Sequence, residues 1–199
     1  MAIAQFWKSL SVAIAVLCFA APMSAQTRAF IPINPPGAGT SSDQGTVAIA
    51  INLSGVVAGY YDDNNYAYHG FVRSAEGVIT EFDAPGLTNT EALGINDSGQ
   101  IAGYGLHDFS NRGEYLGFLR EPNGSVSGFQ PPGALATFPA GINDSGQITG
   151  WYYTGGSVYH GFIAVTAGGT SKFTLFDEPD ASSQPGVMGP SRLRSMRRE

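Results

Sequence analysis

Two histidines recur at one place in this chain, each directly ahead of a Gly-Phe pair: His69-Gly70-Phe71 and His160-Gly161-Phe162. Imidazole can ligate a metal, carry a proton or anchor a hydrogen bond. A metal would need further ligands, and two equivalent positions on separate structural units stand too far apart to share one ion. Packing or hydrogen bonding within a strand is the expected role. Asp62-Asp63-Asn64-Asn65 gathers oxygen donors of the kind calcium takes. The Asp-x-Asp-x-Asp-Gly spacing is missing, so a solvated loop is the plainer expectation. Calcium at Asp62, Asp63 and Asn64 is the one cofactor the sequence suggests. Tyr60-Tyr61, Tyr104 and Trp151-Tyr152-Tyr153 gather aromatic rings that could stack on sugars or a peptide. Packing between units is the plainer use of such rings. No nucleophile–base–acid order, no HExxH, no Cys/His cluster and no phosphate loop appears.

These residues sit in a repeat. Three segments align: Ala48–Tyr60, Ala92–Tyr104 and Ala140–Trp151. Their anchors are Asn52, Asn96 and Asn143, spaced 44 and then 47 residues apart. A glycine follows each anchor at Gly55, Gly99 and Gly146, and a Gly-Phe pair follows at Phe71, Phe118 and Phe162. A second phenylalanine comes next (Phe82, Phe129, Phe176), with a proline three residues on. Length differences fall near Gly105–Tyr115 and Thr166–Thr170, where loops are expected.

Each unit reads as four short strands. The link Asn-Asp-Ser-Gly is a tight hairpin, because Asn and Asp bond their own backbone and Gly takes positive φ. In the second unit strand a ends at Asn96 and strand b is Gln100–Tyr104. Strand c is His69–Arg73 and strand d Val78–Asp83 in the first unit, and Pro85 ends the ladder. Strands a and b carry small residues, and strands c and d carry the phenylalanines. A sheet that is thin on one side and bulky on the other is a wedge, and wedges stack radially. The predicted fold is therefore all-β, built of repeated four-stranded antiparallel sheets resembling β-propeller blades.

The pattern Gly-Ile-Asn-Asp-Ser-Gly-Gln-Ile-Ala-Gly-Tyr, then His-Gly-Phe, then Phe-Asp-Ala-Pro-Gly, resembles the HAF family of bacterial extracellular repeats. It runs over roughly Phe30–Asp180. Leu116-Gly117-Phe118 departs from the His-bearing core of that family. The resemblance implies an exported bacterial protein. It implies no established activity and carries no catalytic residues.

The rest of the chain fits export. Residues 1–25 have a signal peptide's anatomy: Lys8, the apolar run Leu10–Ala21 and a small-residue boundary at Pro22–Ala25. That run is too short to span a bilayer, which takes roughly 20 helical residues, so no membrane span is expected after cleavage. Cleavage would remove the lone Cys18 and leave no disulfide. A secreted or periplasmic location is expected. Residues 26–45 read as a linker holding an orphan strand d over Arg28–Gly37. Residues 46–181 hold the three units, and 182–199 form an Arg-rich tail. The body between leader and tail is strongly acidic, which excludes a nucleic-acid footprint.

Three units fall short of the roughly 4–8 blades of a closed propeller. A homo-oligomer completing a ring, an open stack, or a truncated member of a longer family each accounts for the count. The expected function is a binding or structural module for a glycan or protein ligand. The alternatives are a hydrolase acting on glycans or polymers, and a truncated product without function.

Overall fold

The computed structural model describes residues 30–107, 114–156 and 158–177. The leader, Cys18 and the basic tail lie outside them. The chain divides into two units, Met1–Pro32 and Ile33–Glu199. Only residues 30–32 of the first are described, and they belong to no strand.

In the second unit, twelve strands form three separate four-stranded antiparallel sheets, each in simple meander order. The first blade holds β1 (Thr46–Ile51), β2 (Val57–Asp62), β3 (Tyr68–Arg73) and β4 (Ile79–Phe82). The second holds β5 (Thr88–Ile95), β6 (Ile101–Leu106), β7 (Tyr115–Arg120) and β8 (Val126–Phe129). The third holds β9 (Ala136–Ile142), β10 (Gln147–Tyr153), β11 (Tyr159–Ala167) and β12 (Thr170–Phe176). The described residues contain no helix.

The anchor turns form as their chemistry requires. Gly55, Gly99 and Gly146 have φ of 78°, 81° and 73°, the left-handed conformation that closes a three-residue hairpin loop. Each anchor Asn side chain accepts the backbone N–H four residues on: Val56, Gln100 and Gln147, all at 2.9 Å. The same side chains also tie blade to blade. Asn52 Nδ2 donates to the Asn96 carbonyl and Asn96 Nδ2 to the Asn143 carbonyl, both at 3.1 Å. Beside them, Leu53 N–H donates to Asp97 Oδ1 and Asp97 N–H to Asp144 Oδ1, both at 2.9 Å.

The Gly-Phe doublets have a register reason. Phe71, Phe118 and Phe162 pair across the ladder with Gly59, Gly103 and Gly150. Each phenylalanine lies over its glycine, and all three rings are fully buried. A Cβ on Gly103 would stand 2.6 Å from Phe118 Cζ. The glycine of each doublet is covered in turn, because Gly70, Gly117 and Gly161 oppose Phe82, Phe129 and Phe176. Each blade therefore holds two cross-strand Gly–Phe pairs, one step apart. Strand a also bulges beside each inner pair, between Ala48 and Ala50, between Ala92 and Gly94, and opposite Thr149–Gly150. Bulges of this kind strengthen local twist.

The core lies between the blades. One cluster joins Ala58, Ala92, Ile95, Ile101 and Phe118, with Val72 and Phe82 packed against it. The other joins Ala102, Leu119, Phe129, Ile148 and Phe162, with Ile142 and Phe173 alongside. The two clusters use equivalent positions, one blade apart. In each, strand a of a later blade packs on the two middle strands of the blade before it, β5 on β2 and β3, and β9 on β6 and β7.

Two expectations are corrected. Residues 30–37 form no strand, because no neighbouring strand offers them a ladder. Their resemblance to the end of a unit lies in the turn and its approach: Ala38 N–H bonds the Pro35 carbonyl as Leu87 bonds Ala84 and Ala134 bonds Pro131. The extra residues near Thr166–Thr170 do not enlarge a loop. They lengthen β11 and β12 to 9 and 7 residues, against 6 and 4 in the first blade. Gly168 and Gly169 close that longer hairpin with φ of 57° and 76°, the signs a two-residue hairpin turn needs.

Candidate functional site

The aromatic residues of β2, β6 and β10 do not share one face. Successive strand residues face opposite ways, so Tyr60, Tyr104 and Trp151 take one face and Tyr61 and Tyr152 the other. Tyr61 and Tyr152 are buried. They stack on His69 and His160 at ring distances of 5.3 and 4.9 Å. The expectation that these two tyrosines meet a ligand is corrected by that burial.

The histidines hold strands together. His69 Nδ1 lies 2.8 Å from Asp83 Oδ1, and His160 Nδ1 lies 2.6 Å from Asp177 Oδ1. A Tyr–His–Asp clasp thus joins strands b and c to the residue just past strand d, in the first and third blades. His69 Nε2 points to Asp63 Oδ2 at 3.7 Å, and His160 Nε2 to Thr154 Oγ1 at 3.1 Å. The second blade carries Gly105 and Leu116 at the tyrosine and histidine positions. Leu87 fills the space there, its Cβ 2.9 Å from where a Gly105 Cβ would stand. The equivalent turn residues in the other blades are the smaller Ala38 and Ala134. Volume is kept while the polar contact is lost.

On the opposite face the rings form a ladder that crosses two blades. Tyr104 meets Tyr115 at 5.6 Å and Phe138 at 5.2 Å. Phe138 stacks on Trp151 at 3.9 Å, Trp151 meets Tyr159 at 5.2 Å, and Tyr159 meets Tyr153 at 5.5 Å. In the first blade Tyr60 packs edge-on to Tyr68 at 5.6 Å. Glu91 stands where Phe138 stands one blade later, and accepts the Tyr104 hydroxyl at 3.0 Å. Burial pushes the Glu91 carboxyl above the usual carboxylate range, the Tyr104 hydrogen bond opposes this, and Asp62 adds to it. Burial, and then Glu91, push the Tyr104 hydroxyl up. Tyr68, Tyr115 and Tyr159 were not singled out in the sequence. Each lies three residues before the phenylalanine of its Gly-Phe doublet, at one fixed repeat position, which was the available signal.

The acidic loop is spent on its own closure. Asp63 Oδ1 accepts the Asn65 and Ala67 N–H groups at 2.7 and 2.9 Å, and Oδ2 accepts Asn65 Nδ2 at 3.2 Å. The Ala67 bond foremost holds the Asp63 carboxyl below its usual range. Asn64 Oδ1 faces the Thr40 N–H at 3.4 Å instead. Among the described residues no three His, Cys, Asp or Glu side chains gather as metal ligands would.

This loop holds a residue that sequence reasoning passed over. Tyr66 has φ of 63°, a conformation that costs a bulky side chain of order 1–3 kcal/mol. The residue is 55% exposed. Its hydroxyl donates to Asp43 Oδ1 at 3.2 Å, and its N–H bonds the Asp63 carbonyl. A strained backbone and the Asp43 carboxylate together hold this aromatic side chain exposed.

No protein-family model matches the chain, and neither a curated protein nor a solved structure matches it.

Proposed function

We propose that this is an exported β-repeat protein that acts by binding, and that its ligand is a glycan taken at the loop Asp62–Ala67. Tyr66 carries the reading. An exposed ring held at positive φ is a cost the fold bears without gaining burial, and such strain gathers at functional positions. The ring offers an apolar platform for the C–H face of a sugar. The Asp43 carboxylate, which accepts the Tyr66 hydroxyl, stands at its edge to take sugar hydroxyl groups, and an apolar face with a placed polar group is the mix that fixes orientation in binding sites. The loop tops a rigid blade, where binding residues usually lie. Export is supported by the signal-peptide anatomy and by the resemblance to HAF repeats.

The test is retention on insoluble polysaccharides and on a glycan array. Tyr66→Ala is expected to weaken binding at least tenfold, which corresponds to about 1.4 kcal/mol. Trp151→Ala is expected to leave it unchanged. The reverse result places any ligand on the aromatic ladder and ends this assignment.

A hydrolase is the second reading, and one observation favours it. Asp177, His160 and Thr154 are linked in the order acid, base, hydroxyl, the connectivity of a nucleophilic relay. Against it, the same His–Asp pair recurs in the first blade with Asp63 at the hydroxyl's place, where there is no hydroxyl for the histidine to activate. Ester turnover that disappears in Thr154→Ala would establish it.

A further inference from the structure

The chain makes one kind of interface twice, and among the described residues both halves of a third are largely exposed. On the trailing side of a blade the contact positions are Val72 and Phe82, then Leu119 and Phe129. Their third-blade equivalents, by register, are Ile163 and Phe176. Leu119 is 1% exposed and Ile163 is 37%; Phe129 is 5% and Phe176 is 50%. On the leading side, Ile95 and Ile142 are matched by Ile51. Ile95 is 8% exposed and Ile51 is 68%. Val165 on the trailing face and Ile49 on the leading face are exposed as well. The leading face is concave, a groove of about 250 Å³ lined by Ile33, Ala48, Ile49, Ala50, Ile51 and Val57.

We infer that the trailing face of one copy docks on the leading face of a second copy, and that two copies close into one ring of blades. The occupant follows from continuity with the internal interfaces. The groove over β1 corresponds to the surface of β5 that receives β2 and β3, and to the surface of β9 that receives β6 and β7. The chain that presents matching middle strands, β10 and β11, is this same chain. The described residues of each copy hold three blades, and two copies supply a count within the roughly 4–8 of closed propellers.

The polar ladder supports the pairing in one of its two rungs. Asn143 Nδ2 bonds only its own turn, at Gln147 Oε1, among the described residues. The Asn52 carbonyl would give it the contact that Asn96 and Asn143 carbonyls give the preceding anchors. The other rung is lost, because Leu53 stands where Asp97 and Asp144 accept an N–H. Ile33 also stands two residues before the repeated turn, as Phe82 and Phe129 do. It therefore occupies the place that Phe176 would claim. Ile33 belongs to no strand, so it is the residue that gives way.

An interface of unlike faces makes a specific demand. The full chain, expressed with its own N-terminal segment, is expected to show twice the chain mass by light scattering. Ile51→Arg on the leading face and Ile163→Arg on the trailing face are each expected to halve that mass. Mixing the two variants is expected to restore the doubled mass, because one variant keeps its trailing face and the other its leading face. Tyr66→Ala is expected to leave the mass unchanged, which separates this inference from the binding site. A monomer at every soluble concentration overturns the inference. So does a ladder of growing species, which would mean that the rotation does not close. Failure of the mixed variants to pair, with both still folded by circular dichroism, overturns it too.

Discussion

Replacing Gly103 by alanine tests whether the Gly–Phe pairs set the repeat. The added methyl would stand 2.6 Å from Phe118 Cζ and closer still to the carbonyl oxygen of Glu91. The ring could retreat, but the carbonyl belongs to strand a and carries its ladder with it. Overpacking of a core costs about 1–3 kcal/mol, and a backbone obstacle places this change at the upper end. A domain of this size loses about 2–4 °C of Tm per kcal/mol, so Tm should fall by about 6–12 °C. Gly128 is the control. It lies in a strand of the same blade, and a Cβ there meets nothing nearer than the Gly117 carbonyl oxygen at 3.8 Å. Alanine is better than glycine in a strand by about 0.5–1 kcal/mol, so Gly128→Ala should raise Tm by about 1–4 °C. Thermal unfolding followed by far-ultraviolet circular dichroism reads both. Equal, small shifts in the two variants would refute the claim that close ring-to-backbone approach dictates glycine at this position.

Single contacts give two more expected outcomes. Thr90 Oγ1 accepts the Ala84 N–H at 3.1 Å. One blade later Pro131 replaces Ala84 and has no N–H, and the equivalent Thr137 hydroxyl is buried without a partner among the described residues. Thr90→Val should therefore cost about 1–3 kcal/mol, while Thr137→Val should be neutral or stabilising, as urea midpoints would show. Glu91 gives a pH dependence. Its folded carboxyl is raised by burial, so the folded state holds its proton more tightly than the unfolded state does. That penalty on stability is absent below the ordinary carboxylate pKa and grows as pH rises, until it is complete above the raised value. Glu91→Gln should flatten this part of the stability profile, and an unchanged slope in urea titrations across the carboxylate range would refute the burial argument.

The legible part of the site was the part that local rules govern. Asn52, Asn96 and Asn143 with their glycines were readable because a hairpin's chemistry is contained in four or five consecutive residues. Phe71, Phe118 and Phe162 were readable as landmarks, although the reason for them was not. That reason is the glycine across the ladder, 12 residues away from Phe71 at Gly59 and 15 residues away from Phe118 at Gly103. The grouping of Tyr60 with Tyr61 shows where sequence reading erred. Adjacency in the chain places them on opposite faces of one strand, one ring toward Glu91 and the other onto His69.

The sequence alone determined the all-β class, the repeat of four strands and the turn chemistry, because each depends on spacing within a unit. Only the tertiary structure decided which rings meet across blades, that Leu87 replaces a missing tyrosine, that Tyr66 is held outward, and which apolar faces stay open. Those depend on the stacking of one wedge on the next. A repeat pattern specifies each blade's inner contacts, but the fate of its two outer faces is set by what stands on either side.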